Sequence, residues 1–261
     1  MKASNLKKVY LSLVSISIFI LHIPMAFAKN KPHYQIKQLP AQTETSVAGN
    51  SILNVTKVKI LNTASCLYDS MKLNLMGLSQ QTFDYAIKGF NYLVQTGKLA
   101  NNSIISIVDF SQPSSKKRLF VIDLENAKVI FNTYVAHGAK SGRESADHFS
   151  NTPESNQSSL GFYETSNTYI GGNGYSLRLE GLEPGFNDNA NSRAIVMHGA
   201  AYVNEALAQS RGYIGRSWGC PAVSEKLHKP IINKIKNGTC LFIFSPDKNY
   251  LSHSRILHPA A

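Results

Sequence analysis

Two short segments of the sequence contain residue types that can perform nucleophilic catalysis together. His198 ends an apolar run and is followed by Gly199, and Cys220 lies 22 residues further along, directly after Gly219. A cysteine becomes a strong nucleophile when its pKa is lowered, and a nearby protonated histidine has this effect. The same imidazole can protonate a departing amine. The spacing alone also fits a structural cysteine, either buried or bonded in a disulfide.

The neighbours of Cys220 would suit a substrate carbonyl that approaches the sulfur. Gly219 has no side chain to block that approach, and it leaves backbone N–H groups free to hold the negative oxygen of a tetrahedral intermediate. Trp218, the only tryptophan, can wall the site against water or anchor the loop in the core. His137 lies in a second His-Gly pair, where it either lines the cleft or has a structural role.

Local sequence patterns predict two helices followed by many short strands. Ser79 can cap the second helix, in which Phe83, Ile87 and Phe90 recur at three- and four-residue steps. The segments that predict strands, being rich in β-branched and aromatic residues, are 104–110, 118–124, 128–135, 160–164, 175–179, 194–198 and 239–244. One further helix is predicted over 226–236. Short strands separated by glycine- and asparagine-rich loops favour a mainly β, sandwich-like or barrel fold over a parallel α/β sheet.

The beginning of the chain has the pattern of a secretory signal peptide over residues 1–28. Three lysines precede an apolar run, and residues 26–28 form an Ala-x-Ala cleavage signature. The run is shorter than the roughly 20 apolar residues that a membrane-spanning helix needs, and Pro24 interrupts it. We therefore expect a periplasmic or secreted protein with no membrane span after cleavage, in which residues 29–60 form a linker or flexible arm.

The composition is strongly basic, which narrows the expected partners. The formal net charge is +11, and it falls to +8 when the three lysines of residues 1–28, which include no acidic residue, are removed. A basic secreted protein tends to accumulate on polyanions such as nucleic acid, anionic lipid or a cell wall with free carboxylates. We expect no nucleic-acid partner, because the sequence has no long Lys/Arg run and no nucleic-acid motif. The histidines lack the spacing of zinc ligands, so we expect no metal or other cofactor.

The three cysteines raise the question of which thiol is free. An odd number leaves at least one thiol unpaired in an oxidising compartment. A disulfide between Cys66 and Cys240 is one possibility, and it would leave Cys220 free. The other is that Cys240, which lies inside an apolar predicted strand, is an inert buried thiol.

The order of motifs resembles that of the murein L,D-transpeptidase catalytic domain family, which is YkuD-like. His198-Gly199 followed by Ser217-Trp218-Gly219-Cys220 matches the family signature, a His-Gly, a spacer and then Ser-x-Gly-Cys. The matching blocks, which together extend over about residues 63–257, are 107–110, 118–124, 133–138, 158–163, 174–182, 194–200 and 216–222. One short motif would be weak evidence, whereas an ordered set is specific.

The resemblance implies a β-sandwich-like catalytic domain over 61–261 with the two leading helices packed on it. It implies that Cys220 attacks the bond between the third, L-centred residue of a peptidoglycan stem and the following D-Ala. The acyl-enzyme would then pass to an amine of another stem to make a 3–3 cross-link. His198 would be the base, and a backbone carbonyl near Ser217 would orient it. The N–H groups of Gly219 and Cys220 would form the oxyanion hole, and no metal would be needed.

One departure from the family pattern leaves the reaction open. Many family members carry an arginine two residues after the cysteine, thought to meet a substrate carboxylate, whereas this chain has Ala222. Arg216 and Arg193 are candidates to replace it, because a guanidinium binds a carboxylate through two hydrogen bonds; both can equally be structural or solvated. The residues predicted on the substrate-binding side are Arg216, Trp218, Gly199, His137 and Arg193.

Three functions therefore remain after the sequence alone. The first is transpeptidation. The second keeps the scaffold but ends in water, as in an L,D-carboxypeptidase or an endopeptidase. The third is a non-enzymatic wall-binding module in which Cys220 is structural. The oligomeric state is not predicted.

Overall fold

The computed structural model describes residues 64–259, so the predicted signal peptide and arm lie outside the described residues. The strands are β1 (Ile104–Asp109), β2 (Leu119–Asp123), β3 (Lys128–Thr133), β4 (Gly161–Gly171), β5 (Gly174–Gly181), β6 (Val196–Ala200), β7 (Ala222–Ser224) and β8 (Cys240–Phe244). The helices are α1 (64–70), α2 (Gln80–Gln95), α3 (Glu205–Arg211), α4 (His228–Ile235) and α5 (Lys248–His253), with a 3-10 helix at Leu73–Met76.

The two leading helices form where the sequence predicts them, and they share the main core with the sheet. α2 begins because the Ser79 side chain accepts a hydrogen bond from the Thr82 N–H, at 3.1 Å. The apolar side chains of its buried face repeat at helical spacing: Phe83, Ala86, Ile87, Phe90 and Leu93. These side chains belong to the same hydrophobic cluster as the buried residues of β1, β2 and β8.

The eight strands form one sheet in the order β3-β2-β1-β8-β4-β5-β6-β7. β1 pairs with β8 in parallel and β6 pairs with β7 in parallel, while the other neighbours are antiparallel. β8 is buried along its whole length, as expected for an apolar strand between two neighbours. The mainly β, sandwich-like fold with leading helices packed on it is therefore confirmed.

The predicted strand over 194–198 is shifted in the structure, and the shift matters for the site. β6 begins at Val196 and continues to Ala200. Ala194 cannot start the strand because its φ is +53°, a left-handed backbone conformation. The short strand β7 and the helices α3 and α5 were not predicted, since elements of three to seven residues give little periodic signal.

A second, smaller hydrophobic cluster supports the end of the sheet where β6 and β7 lie. Its buried members are Ala136, Ala200, Val203, Ala208, Ile214 and Ala222. Four of the six are alanines, which lets the backbones of neighbouring segments approach closely. Ala200 of β6 and Ala222 of β7 both belong to this cluster, so it packs against the two strands.

Candidate functional site

The parallel pairing of β6 with β7 brings the two predicted catalytic segments side by side. His198 pairs with Ala222 in the register, so that Cys220, two residues earlier, lies beside Val196. The backbone N–H of Val196 indeed points to the Cys220 sulfur, at an N···S distance of 3.5 Å. Val196 and His198 are two residues apart on one strand, a rise of about 7 Å. The sulfur and the imidazole-bearing residue therefore belong to one site.

The Cys220 thiol is free and half-buried, and it forms hydrogen bonds with two backbone groups. It accepts from the Val196 N–H and donates to the carbonyl of Ala194, with S···O 3.7 Å. The left-handed backbone of Ala194 gives this carbonyl its direction. Cys66 and Cys240 are also free, one exposed and the other buried, so a disulfide between them is not formed.

The imidazole of His198 is nearly buried and is held by its own neighbour in the chain. Its Nδ1 lies 2.9 Å from the carbonyl oxygen of Gly199. Because a carbonyl can only accept, this contact assigns the proton to Nδ1 and leaves the lone pair on Nε2. The resemblance implied that a carbonyl near Ser217 orients the ring. In the structure the Ser217 carbonyl instead accepts from the Ala139 N–H, at 2.7 Å.

A second histidine packs against the residue that fixes this tautomer. A Cβ added to Gly199 would lie 2.7 Å from His228 Nδ1, so only glycine leaves room for the ring of His228 at the start of α4. His228 Nδ1 also lies 2.7 Å from the carbonyl oxygen of Glu225. The predicted binding residue Gly199 therefore does two things: its carbonyl holds His198, and its bare Cα accepts His228.

Ser217 organises the turn that carries the nucleophile. Its hydroxyl donates to the carbonyl of Cys220, at 2.7 Å, and accepts from the N–H of Gly219, at 3.1 Å. Its backbone N–H donates to the carbonyl of His137, at 2.9 Å. These bonds close residues 217–220 into a fixed turn. They also engage the Gly219 N–H, one of the two predicted oxyanion donors.

Gly219 is required by the geometry of this turn as well as by its approach to the substrate. Its φ is +125°, a region that L side chains rarely adopt. A Cβ at this position would also lie 2.7 Å from the carbonyl oxygen of Gln157. Any other residue here would displace the turn, and with it the sulfur.

The pKa shifts favour neutral forms of both reacting groups at rest. Burial raises the pKa of the Cys220 thiol, although the Val196 N–H and the positive charge of Arg193 act in the opposite direction. Burial also lowers the pKa of His198; its bond to Gly199 opposes this, and the charge of His228 adds to it. At rest, a neutral thiol and a neutral imidazole are therefore favoured over the thiolate and imidazolium that the sequence suggested.

The two arginines proposed as carboxylate partners differ in their surroundings. Arg193 is half-buried, and its two terminal nitrogens donate to the protein. The four acceptors, at 2.5–3.0 Å, are the carbonyls of Ser150 and Gln157 and the hydroxyls of Ser155 and Ser159. Arg193 therefore holds the 150–159 segment beside the nucleophile and supplies a positive charge near Cys220.

Arg216 and Trp218 lie on the surface on either side of Ser217. One terminal nitrogen of Arg216 donates to the carbonyls of Gly142, at 3.1 Å, and Ala139, at 3.3 Å. The Trp218 side chain is 81% exposed, so it does not anchor the loop in the core. Both side chains are accessible to a large substrate that approaches this face.

His137, the other predicted binding residue, is fully buried and not accessible to substrate. Arg118 Nη2 donates to its Nδ1, at 2.7 Å, and its Nε2 lies 3.3 Å from the Gly142 carbonyl oxygen. Burial and the charge of Arg118 lower the pKa of His137 to about 4. Its contribution to the site comes through its backbone carbonyl, which holds the N–H of Ser217.

Three further residues, Arg118, Ser158 and Tyr202, support the site. Arg118 is fully buried, donates to Val135 and Gln112 carbonyls as well as to His137, and has its pKa lowered by burial to about 9. The Ser158 hydroxyl accepts from the Gly138 N–H, at 3.0 Å, and donates to the Gly219 carbonyl. Burial and the negative charge of ionised Cys220 raise the pKa of Tyr202 to about 12. No local pattern announces these contacts, because each joins distant parts of the chain.

Within residues 64–259, no group of three or more His, Cys, Asp or Glu side chains is arranged to hold a metal ion. In the same range, no helix has both the length and the apolar character that crossing a membrane requires.

Comparison with solved structures finds matches at low identity and low TM-score. An L,D-transpeptidase from Mycobacterium smegmatis is 12% identical over 55% of this chain and 59% of that chain, with a TM-score of 0.33. An L,D-transpeptidase from Stackebrandtia nassauensis is 15% identical over 63% of this chain and 68% of that chain, with a TM-score of 0.34. A helical cell shape determining protein from Campylobacter jejuni is 13% identical over 62% of this chain and 57% of that chain, with a TM-score of 0.38.

The chain thus spans about three fifths of the length of the Mycobacterium smegmatis protein. No curated protein matches it. A family model, described as the L,D-transpeptidase catalytic domain, matches residues 75–244, which is more than half of the sequence and includes both His198 and Cys220. The chain therefore belongs to the L,D-transpeptidase catalytic domain family.

Proposed function

We propose that this protein is a cysteine-dependent L,D-transpeptidase that joins peptide stems of peptidoglycan through 3–3 cross-links. One observation carries the proposal: the free, half-buried Cys220 thiol lies against the strand that bears His198, at the start of a parallel strand pair. A cysteine kept unbridged beside a histidine of assigned tautomer suits acyl transfer.

In the first half-reaction, His198 acts as general base while the sulfur attacks. Nε2 takes the thiol proton as Sγ forms a bond to the carbonyl carbon that precedes D-Ala in a tetrapeptide stem. The developing oxyanion needs a backbone donor, and the N–H of Cys220 is the candidate because that of Gly219 is bonded to Ser217. When the C–N bond breaks, D-Ala leaves as an amine that takes the proton from Nε2.

In the second half-reaction, an amine of another stem attacks the thioester. His198 Nε2 removes a proton from this amine as the new C–N bond forms. The C–S bond then breaks, and the proton returns to the sulfur. The enzyme regains its neutral thiol and imidazole, and the two stems are joined.

Neutral resting groups affect how the site should respond to pH. Because burial raises the pKa of Cys220 and lowers that of His198, proton transfer accompanies attack and a standing thiolate is not required. A resting thiol is also less prone to oxidation than a thiolate. This suits an enzyme that works outside the reducing cytoplasm.

Hydrolysis on the same scaffold is the second candidate, and one feature favours it. Trp218, which is close to the nucleophile in sequence, is 81% exposed, and Cys220 itself is only partly buried, so water can reach a thioester there. An L,D-carboxypeptidase would use the same first half-reaction and replace the acceptor amine by water. A wall-binding module without chemistry is the least supported, since Cys220 is neither bridged nor fully buried.

We also propose that the protein acts in the periplasm or outside the cell. The support is the sequence of residues 1–28, with its lysines, apolar run and Ala-x-Ala end. Peptidoglycan lies in the same compartment.

The test is incubation of the mature protein with disaccharide-tetrapeptide, followed by chromatography and mass spectrometry of the products. Transpeptidation gives 3–3 dimers, whereas hydrolysis gives tripeptide and D-Ala without dimers. Cys220→Ala should give neither, and Cys240→Ala, which removes a buried thiol of the core, is the matched control. Dimers formed equally well by Cys220→Ala would disprove the proposal.

A further inference from the structure

Three exposed arginines gather around one tyrosine on the face that carries Arg216. Arg143 Nη2 donates to the Tyr213 hydroxyl, at 3.1 Å, and the Arg143 guanidinium carbon lies 5.0 Å from the centre of the Tyr213 ring. The bond and charge of Arg143 lower the pKa of Tyr213, and the charges of Arg211 and Arg216 add to this effect. All three guanidiniums therefore act on the same phenol.

The backbone between these side chains keeps the charges together. Arg216 Nη1 is bonded to the carbonyl of Gly142, the residue directly before Arg143. Arg211 ends α3, and the chain passes through Tyr213 on its way to Arg216. The cluster is thus built from two adjacent segments, residues 142–143 and 211–216.

The positive charge of this cluster is not neutralised within the protein. Among the described residues, none of the three guanidiniums has a carboxylate within 4 Å, whereas Lys117 and Glu205 do form an ion pair, at 3.7 Å. Glu144 acts on Arg143 only from a greater distance. Like charges held close together raise the free energy of the unoccupied surface, and an anion that binds there would relieve this repulsion.

The cluster also adjoins the nucleophile turn. Arg216 directly precedes Ser217, whose hydroxyl and backbone fix the turn of Cys220. The other candidate, Arg193, already donates four hydrogen bonds to the protein. Of the two candidates, Arg216 is therefore the one that stays exposed beside the turn, with the exposed Trp218 between Arg216 and Cys220.

We propose that Arg143, Arg211 and Arg216, with Tyr213 between them, form a binding surface for the free carboxylates of a peptide stem. The identity of the peptide rests on the proposed function, whereas binding of a carboxylate-bearing peptide does not require that Cys220 reacts.

The experiment measures binding of a soluble tetrapeptide stem to the mature protein by calorimetry, with the free carboxylates of the peptide either present or converted to amides. The peptide with free carboxylates should bind more tightly than the amide form, and the difference should shrink at high salt. Arg143→Gln combined with Arg216→Gln should weaken binding of the carboxylate form about tenfold and leave that of the amide form unchanged. Arg178→Gln is the matched control, because Arg178 makes a similar arginine–tyrosine contact, 4.5 Å from the Tyr169 ring.

The other possible results would overturn either the carboxylate-binding inference or the proposed function. Equal binding of the carboxylate and amide forms, or an equal loss in Arg178→Gln, would overturn the inference. So would a double variant that loses binding to vesicles of an anionic phospholipid but keeps peptide binding. Acylation of wild-type Cys220 by a carbapenem is a separate readout: its failure alone would overturn the proposed function and leave the carboxylate surface standing.

Discussion

The chain contains two His-Gly pairs near the ends of β strands, His137-Gly138 and His198-Gly199, and the structure gives them opposite surroundings. The ring of His137 is fully buried, and both of its nitrogens contact the protein, Nδ1 through Arg118 and Nε2 through a carbonyl. The ring of His198 keeps some exposure, and its Nδ1 is bonded to the carbonyl of its own neighbour, Gly199. The same His-Gly sequence thus contains a structural histidine in one place and a candidate base in the other.

The difference lies in the partners that the fold brings to each ring. Burial and the positive charge of Arg118 together prevent the ring of His137 from accepting a proton near neutral pH. His198 instead faces a backbone carbonyl, which fixes the tautomer without making the base electrostatically inert. A catalytic histidine therefore needs a partner for one nitrogen and an open path to the other.

Replacing His198 should reduce activity far more than replacing His137. His198→Ala should lower kcat/KM about 1,000-fold, because it removes the general base. His137→Gln, which can still accept from Arg118 and donate to Gly142, should lower it less than about tenfold. The measurement is initial rate of dimer formation with disaccharide-tetrapeptide at neutral pH, on proteins shown to be folded. Equal losses in the two variants would contradict the division of roles.

The buried Arg118 side chain, which is bonded to His137, should contribute strongly to the stability of the folded protein. Arg118→Met keeps much of the side-chain volume but leaves the Val135 and Gln112 carbonyls and His137 without their donor. We expect the free energy of unfolding to fall by about 3 kcal/mol. Urea unfolding followed by circular dichroism measures this, with the exposed Arg211→Met as the control, which should change stability by less than about 0.5 kcal/mol. A loss no larger than that of the control would show that the pair is dispensable.

The buried histidine should also give the protein a characteristic loss of stability in acid. The pKa of His137 is about 4 in the folded protein against an ordinary value of 6.5, so the unfolded chain binds more protons between these values. Stability is therefore fully present above pH 6.5 and falls by up to about 3 kcal/mol as the pH drops to 4. His137→Gln should lack this part of the pH dependence. Identical stability curves for the two proteins from pH 7 to 4 would rule it out.

The smallest expected effect concerns the ring that packs on Gly199. His228→Phe keeps an aromatic ring there but removes the charge that helps to lower the pKa of His198. The pKa of His198 should rise. The acid limb of the pH–activity profile should therefore move to higher pH, by less than about one pH unit. The profile of kcat/KM against pH measures the shift. His253→Phe, on the C-terminal helix, should leave the profile in place, and a shift in the opposite direction would refute the assignment.

Much of the secondary structure follows from local pattern, while its arrangement does not. β1, β2 and β3 form where β-branched residues predict them, and Ser79 caps α2 as expected. The position of β8 between β1 and β4 could not be predicted, because it depends on pairing between segments far apart in the sequence. The left-handed backbone of Ala194 could not be predicted either, because it depends on its surroundings rather than on its residue type.

Some residues of the site are likewise indicated by local motifs, while the roles of others depend on tertiary packing. The His-Gly and Ser-x-Gly-Cys motifs indicate His198 and Cys220 as the reacting pair, and the structure brings their strands together. The sequence could not distinguish Arg193 from Arg216, because what separates them is the set of four acceptors that only Arg193 finds. It also left His137 open, since the burial of Arg118 beside it results from tertiary packing.

Mass spectrometry of the intact mature protein after exposure to a carbapenem shows whether Cys220 is an acylable nucleophile. The sulfur should open the β-lactam ring by forming a thioester, with the ring nitrogen taking the proton, so that the whole drug mass remains attached. We predict one adduct per chain, mapped to Cys220, that is absent in Cys220→Ala and forms much more slowly in His198→Ala. A wild-type protein that stays unmodified, or an adduct that persists in Cys220→Ala, would show that Cys220 is not the nucleophile.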